Sequence, residues 1–349
     1  MIAKLLAIGR ALLFVVIALL FCAVVFEIAG FSSLDMLQSI AEGAFLSGDA
    51  LMNTARWTLP LLITACGVVV SFRCGYFNIG AQGQLYMGAI AGAFIVAGLQ
   101  GGPAVLVIPL TLAAGMAAGA VWSLWPGWLR VRSGTDEVIT TLMGNFIAAL
   151  FLVYVTSGPL KDPSGTGQVT ASRPVPLAYR ISDAGGVSPT IIVIAVVVVV
   201  LTWILVNRTA FGVLSSLAGR NPTMVTWQGA RMSRLGLGSF VISGALAGLS
   251  GTIELLGPDG RIVSGFVPTH GFTAILIALV AGLSVSGVVV VSIFFGGLAA
   301  ASLYLPVIAG LPAAAIDVIN AAIALFITAR ALPGSAWLQR RVRRVQSAS

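Results

Sequence analysis

Residues Phe72–Gln84 read FRCGYFNIGAQGQ, a polar, glycine-rich island inside one of the most apolar parts of the chain. The uncharged run Trp57–Phe72 precedes it, and after Arg73 no charged residue follows until Arg130. Hydrocarbon cannot satisfy the amides of Asn78, Gln82 and Gln84, so a membrane helix that carries them must turn them toward protein or toward a water-filled path. Gly75, Gly80 and Gly83 permit close backbone approach or a break in a helix. Tyr76 and Phe77 add flat aromatic faces. Two readings stay open on chemistry alone: amides bonded between packed helices, or the lining of a substrate path.

The apolar character extends over the whole chain. Of 349 residues, 58% are hydrophobic and only 9% are charged, with a mean hydropathy of +1.04. Soluble domains carry about 25% charged residues. The expected fold is therefore all-α, a polytopic membrane protein with a single membrane domain over 1–349. The formal net charge is +8, but the basic residues sit at the ends of apolar runs, where they set topology, and no nucleic-acid partner is expected. Cys22, Cys66 and Cys74 lie in or beside apolar runs and read as small buried hydrophobes, with no disulfide framework and no metal spacing. No cofactor or metal is expected.

A spanning helix needs about 20 mostly apolar residues. On that measure the spans fall at 9–30, 55–72, 78–99, 103–128, 138–157, 187–206 and 235–252, with two more in the charge-free stretch 271–316 and a last one at 311–330. The first follows Lys4 and Arg10 like a signal peptide but lacks a small-residue cleavage site, and reads as an uncleaved helix. An external segment with Asp35, Glu42 and Asp49 follows it. Residues 158–186, rich in Pro and Gly, have loop composition. The valine run of 187–206 would suit a buried strand, but its length and surroundings favour a helix. Ser284–Gly287 reads as the turn inside 271–316. About ten spans put both termini on one side. All nineteen basic residues except Arg56, Lys161, Arg173, Arg180 and Arg261 fall on that side, so both termini are expected in the cytoplasm.

The connector Ser215–Arg234 (SSLAGRNPTMVTWQGARMSR) is polar and long for a turn between helices. Asn221 and Pro222 can start a short helix, as cap and first residue. Such a helix outside the bilayer suits docking of a soluble partner; a plain solvated loop is the other reading.

Five stretches together carry a family resemblance: GYFNIGAQGQ (75–84), GTDEVITTLMGN (134–145), GPLKDP (158–163), AGRNP (218–222) and SGALAGLSGTIELLG (243–257). From about residue 55 to 330 the chain resembles permeases of bacterial ABC importers in the branched-chain amino acid/ribose superfamily, within it the simple-sugar and nucleoside group. The segment after AGRNP departs from the family pattern of two alanines and a closing Gly-Ile, reading TMVTWQGA. The resemblance implies a permease core at 55–330 preceded by a first helix and external segment at 1–54, a cytoplasmic coupling loop at 207–234, and a basic cytoplasmic tail at 331–349. It implies a bacterial inner membrane location and three protein partners: a cytoplasmic ATPase, a second related permease and an external or periplasmic binding protein. Gly219, Arg220, Asn221, Pro222 and Gly229 are the positions it implies for contact with the ATPase.

The candidate substrate-path residues are Phe77, Asn78, Gln82, Gln84 and Asn145. On a helix, 78 and 82 share a face. An anionic solute would favour Arg or Lys there, and only Arg73 is near. Amides and an aromatic ring suit a neutral solute with hydroxyls and a flat base. The only lysines, Lys4 and Lys161, stand outside any Gly-Lys-Ser/Thr phosphate loop, so the chain itself is no P-loop ATPase. The rival class is an ion- or proton-coupled secondary transporter, which would need intramembrane acids or broken helices. Asp317 is the one acid expected well inside a span. Glu254 reads as an interfacial carboxylate and His270 as a surface or loop residue.

This orientation is testable. In a background lacking Cys22, Cys66 and Cys74, Ser216→Cys is expected to react with a membrane-impermeant thiol reagent only after the cells are opened. Labelling on intact cells would reverse the topology.

Overall fold

The computed structural model describes residues 16–164, 170–182, 186–263, 265–266, 269–312 and 314–329. The start of the first expected span (9–15) and the basic tail (331–349) lie outside them. Fourteen α-helices make up the described chain. They are α1 (Val16–Ile28), α2 (Ser33–Ala44), α3 (Gly48–Arg73), α4 (Ala81–Gly98), α5 (Ala104–Ser133), α6 (Glu137–Ser157), α7 (Pro189–Arg208), α8 (Ala210–Ala218), α9 (Pro222–Trp227), α10 (Met232–Leu256), α11 (His270–Val280), α12 (Val285–Ala301), α13 (Leu305–Ile308) and α14 (Ala315–Ala329). Among the described residues no strand occurs, only two isolated bridges. Among the described residues every apolar run holds helix, with α12, α13 and all but the first residue of α11 in 271–316, and five helices are long and apolar enough to cross a membrane: α3, α5, α6, α7 and α10.

Local chemistry explains the helix ends. Asp136 caps α6 by accepting from the Val138 N–H at 2.8 Å. Ser188 caps α7 in the same way from Thr190 (3.2 Å), with Pro189 at the first helical position. The valine run inside α7 is helical, as its length requires. Gly134 closes α5 in the left-handed conformation, at φ 68°.

The chain forms two compact units, one spanning Leu51–Gly297 and the other drawing its described residues from before and after it. In the larger unit α4, α5 and α10 pack together most extensively. α4 is apolar all round and buried along most of its length, as a helix without a polar face must be. Of the most apolar stretch of each long helix, 78% is buried in α3 and in α10, against 22%, 33% and 28% in α5, α6 and α7. The first two are inner helices. The last three expose Val105, Phe146, Leu150, Val193 and Leu201, side chains suited to hydrocarbon rather than water.

Small residues bring α4, α5 and α10 into contact. A methyl at Gly88 of α4 would overlap the backbone of Gly248 in α10, and one at Gly248 would overlap the Gly115 carbonyl of α5. Thr252 ties the same crossing by donating to the carbonyls of Gly88 (3.1 Å) and Gly248 (2.9 Å). Close backbone approach replaces the missing hydrophobic drive between helices in lipid.

The described residues between 158 and 182 are irregular apart from a 3-10 turn at Leu177–Tyr179, as their composition indicates, yet held. Ser172 N–H donates to the Ile262 carbonyl (2.8 Å), Val175 to Gly260 (2.7 Å) and Ile181 to Leu256 (2.9 Å). In the smaller unit Phe21 of α1 meets Phe326 of α14 edge-on at 5.5 Å, and α2 packs on α13 through Gly43 and Tyr304.

Several expectations are corrected. The acidic segment after α1 is not a simple connector: Ser32 caps helix α2 by accepting from Asp35 N–H (3.2 Å). The helix of the third expected span, α4, starts at Ala81 rather than 78, because residues 74–80 are non-helical. Within 271–316 the break falls earlier than Ser284–Gly287, at Gly282 (φ 61°) and Leu283 (φ 56°). α11 has only 11 residues, about 16 Å of helix against about 30 Å of hydrocarbon. Asp317 stands exposed in the first turn of α14, where an acid complements the helix dipole, rather than deep in a span.

Gly248→Ala is expected to lower the thermal unfolding temperature of the purified protein, since overpacking costs about 1–3 kcal/mol. Gly98→Ala, with nothing within 4 Å of the added methyl, is expected to leave it unchanged or raise it slightly. Equal effects of the two would refute the close crossing.

Candidate functional site

Gly75 leaves the end of α3 with a φ of 80°, and residues 76–80 then run without helical hydrogen bonds until α4 begins. Backbone in this state needs partners, and one face of α6 supplies them. Glu137 Oε1 accepts from Phe77 N–H at 3.4 Å, Thr141 Oγ1 from Ile79 N–H at 3.2 Å, and Asn145 Oδ1 from Gly83 N–H at 2.8 Å. Asn145 Nδ2 returns a bond to the Ile79 carbonyl at 2.9 Å. The three acceptors recur every fourth residue, which places them on one helical face. Arg130 Nε pairs with Glu137 Oε2 at 3.0 Å and holds the first rung.

The amides of the island complete the loop from inside. Asn78 Nδ2 donates to Gln84 Oε1 and to Ser243 Oγ, both at 3.0 Å. Gln84 Nε2 returns a bond to Asn78 Oδ1 at 2.9 Å. The same oxygen accepts the Gly80 N–H at 3.0 Å. Gln82 Oε1 accepts the Gly271 N–H from the first turn of α11 at 2.6 Å. The helical face expected to be shared by Asn78 and Gln82 does not exist, because Asn78 precedes α4. Four of the five sequence candidates, Asn78, Gln82, Gln84 and Asn145, are thus gathered and buried, bonded between segments. Phe77 stands apart at 46% exposure, edge-on to Phe72 at 4.9 Å.

The connector candidates lie directly beneath this loop. A methyl at Gly219 would overlap the Arg73 carbonyl, and one at Gly75 would lie 3.1 Å from Gly219 Cα. Only glycine fits at either position. The AGRNP turn therefore rests on the turn that leaves α3. Asn221 caps α9 as expected, accepting from Met224 N–H at 3.3 Å, with Pro222 at its first position. Val225 of α9 is fully buried in a cluster with Cys74, Ala218 and Leu235. The rest of α9 faces outward: Trp227 is 82% exposed, and Arg220 and Asn221 are exposed beside it. Gly229 ends the segment at φ 74°.

A second polar centre was not anticipated. Arg56 of α3, Glu254 of α10, Asp259 after α10 and His270 of α11 meet in the larger unit. Arg56 Nη2 donates to Asp259 Oδ1 at 3.0 Å and lies 3.6 Å from Glu254 Oε2. His270 Nε2 is 3.8 Å from Glu254 Oε1. The Arg56 guanidinium stacks on Trp57 at 4.0 Å, and the Trp57 and His270 rings lie 5.4 Å apart. Burial pushes the Asp259 carboxyl above the usual range, and the Arg56 charge opposes that shift. His270 is buried rather than on the surface, because it opens a helix that starts inside the protein. Glu254 is wholly buried rather than interfacial. Among the described residues no group of three or more metal-binding side chains occurs.

Sequence reasoning passed over Glu137, Thr141, Ser243 and Gly271. The fourth-residue spacing of Glu137, Thr141 and Asn145 was a readable signal. Nothing in the spacing points to Ser243 or Gly271, whose partners are 165 and 189 residues away.

A model of the family described as "Branched-chain amino acid transport system / permease component" matches residues 50–328. The guanosine ABC transporter permease protein NupP of Bacillus subtilis is 32% identical over 90% of this chain and 91% of its own. The glucose ABC transporter permease protein TsgB13 of Haloferax volcanii is 32% identical over 77% of this chain and 73% of its own. The nucleoside ABC transporter permease protein NupB of Lactococcus lactis is 28% identical over 91% of this chain and 90% of its own. No solved structure matches the chain.

Asn145→Ala would leave the Gly83 N–H and the Ile79 carbonyl unpaired, at about 1–3 kcal/mol each. It is expected to lower the unfolding temperature of the purified protein clearly more than Phe77→Ala, which removes a half-exposed ring. The reverse order would show that the α6 ladder does not hold the loop.

Proposed function

The chain belongs to the permease-component family of branched-chain amino acid transport systems, a multi-pass inner-membrane protein family of transporter permeases, and from that membership we propose that it forms the translocation path of an ATP-driven importer for a neutral hydroxylated solute, a nucleoside or simple sugar. ATP hydrolysis resides on a separate cytoplasmic subunit that docks on α9. A second related permease completes the path, and an external binding protein delivers the solute. Both termini and the 207–234 connector face the cytoplasm, the whole chain acts as one permease domain, and all ten apolar runs belong to the membrane part.

The observation that carries this reading is the stacking of Gly219 on Arg73 and Gly75. An exposed short helix, pegged by the buried Val225, is thereby joined through one turn to the non-helical polar loop. A push on Trp227 or Met224 reaches Asn78 within a few residues of chain. The loop's amides are buried and bonded within the protein, and what it leaves exposed is the Phe77 ring, which suits a flat, uncharged base better than a carboxylate or phosphate. The names of the relatives point to the same solute classes, with guanosine as the first to try.

In the native host, replacement of the chain by its Arg220→Glu or Asn221→Ala form is expected to abolish or strongly reduce guanosine uptake with normal amounts of protein in the membrane. A lost cap costs about 1 kcal/mol, too little to unfold the protein. Normal uptake in both variants would remove α9 as the docking element. Amino acid uptake that depends on this chain and that nucleosides fail to inhibit would overturn the solute class.

A further inference from the structure

Eight buried side-chain nitrogen and oxygen atoms have no hydrogen-bond partner among the described residues, and four of them belong to one cluster: Arg56 Nη1, Glu254 Oε1 and Oε2, and His270 Nε2. The side chain of Glu254 is 0% exposed and that of His270 5%. Their mutual separations of 3.6 and 3.8 Å are ion-pair distances without hydrogen bonds. A buried polar atom without a partner is rare and calls for a missing one. A buried carboxylate held only by loose charge contact is costly to the fold, and ionisable groups inside membrane segments mark function by default.

The chemistry of the open valences narrows the missing partner. In its ionised form Glu254 only accepts and presents two free oxygens; Arg56 Nη1 only donates; His270 Nε2 takes either part. A cation would meet the Arg56 guanidinium. An anion would meet two carboxylates, Glu254 and Asp259. A neutral group with adjacent hydroxyls meets every requirement: two O–H groups donate to the two oxygens of Glu254, as a ribose diol does to the acidic residue of dinucleotide-binding folds, and their lone pairs accept from Arg56 and His270. The geometry points to Glu254, with Arg56 and His270, as a binding subsite for the vicinal hydroxyls of the transported solute. Trp57 flanks it, against Arg56 and His270.

This inference rests on the nucleoside reading above, and the test separates the two. Uptake of guanosine, 2′-deoxyguanosine and 2′,3′-dideoxyguanosine is measured in the native host carrying the wild-type chain, Glu254→Gln or, as a second variant should the first fail to accumulate, His270→Gln. Rates are normalised to chain in the membrane. The preference of a binding protein for any analogue divides out between strains. Glu254→Gln is expected to slow guanosine uptake roughly tenfold, the worth of a hydrogen bond to a charged group, yet to leave dideoxyguanosine uptake nearly unchanged, so that discrimination between them collapses. His270→Gln is expected to reduce it in the same pattern and less. An equal loss for all three solutes, the mark of a structural ion pair closed by ordered water, would overturn the subsite while leaving the nucleoside reading intact. Unaltered uptake of all three would overturn it as well. Wild-type cells that use the chain for none of them would overturn both.

Discussion

Backbone amides surrounded by apolar protein must find acceptors, and the arrangement of this chain follows from how the N–H groups between α3 and α4 find theirs. An unbroken helix would have bonded them internally. Gly75 breaks the helix, and the cost of the freed groups is met by Glu137, Thr141 and Asn145. That fixes the height and rotation of α6 against the loop. The Asn78–Gln84 pair and its bond to Ser243 then fix α10, and Gln82 fixes the start of α11. Glycine contacts among α4, α5 and α10 are possible only with those helices already in register.

The fully paired amides bear on how such a loop can serve transport. A network in which every member is satisfied is rigid and specific, and the island as a whole has that character. The Phe77 ring, outside the network, and the Glu254 cluster, short of partners, are the places where the network is not closed. Rigid scaffold and unsatisfied site thus meet on α10, which carries both Ser243 and Glu254, and on the first turn of α11, where Gly271 is bonded to Gln82 beside His270. Half-helices beginning within the membrane recur where transporters bind their cargo, because a helix start brings free N–H groups to a depth where nothing else polar is found.

Much of this was legible in the residues. The apolar runs are helical where described, five of them long enough to cross a membrane, and Asn221-Pro222 starts α9 as capping chemistry requires. The apolar ruler is blind to two things. It cannot see an amphipathic helix such as α2, whose acids read as loop. It also cannot see where a helix begins inside a polar stretch, hence the misplaced start of α4 and the unforeseen shortness of α11. The α6 stripe was present as a fourth-residue period but was masked by the apolar residues around it. The Arg56–Asp259 bond joins residues 203 apart in the chain, and no local pattern announces such a pairing; only the packing of α3 against the end of α10 brings it about.

The α6 ladder also sets an order of events during synthesis. The loop at 77–83 emerges about 60 residues before its partners at 137–145. At roughly 5–20 residues per second, its amides wait several seconds beside the insertion machinery with no acceptor from their own chain. Gln82 waits longer still, for a partner 189 residues on. α4 therefore cannot be released into lipid as a finished helix when it is made. It must be retained near the translocation channel, or sheltered by a membrane chaperone, until α6 arrives to cover it.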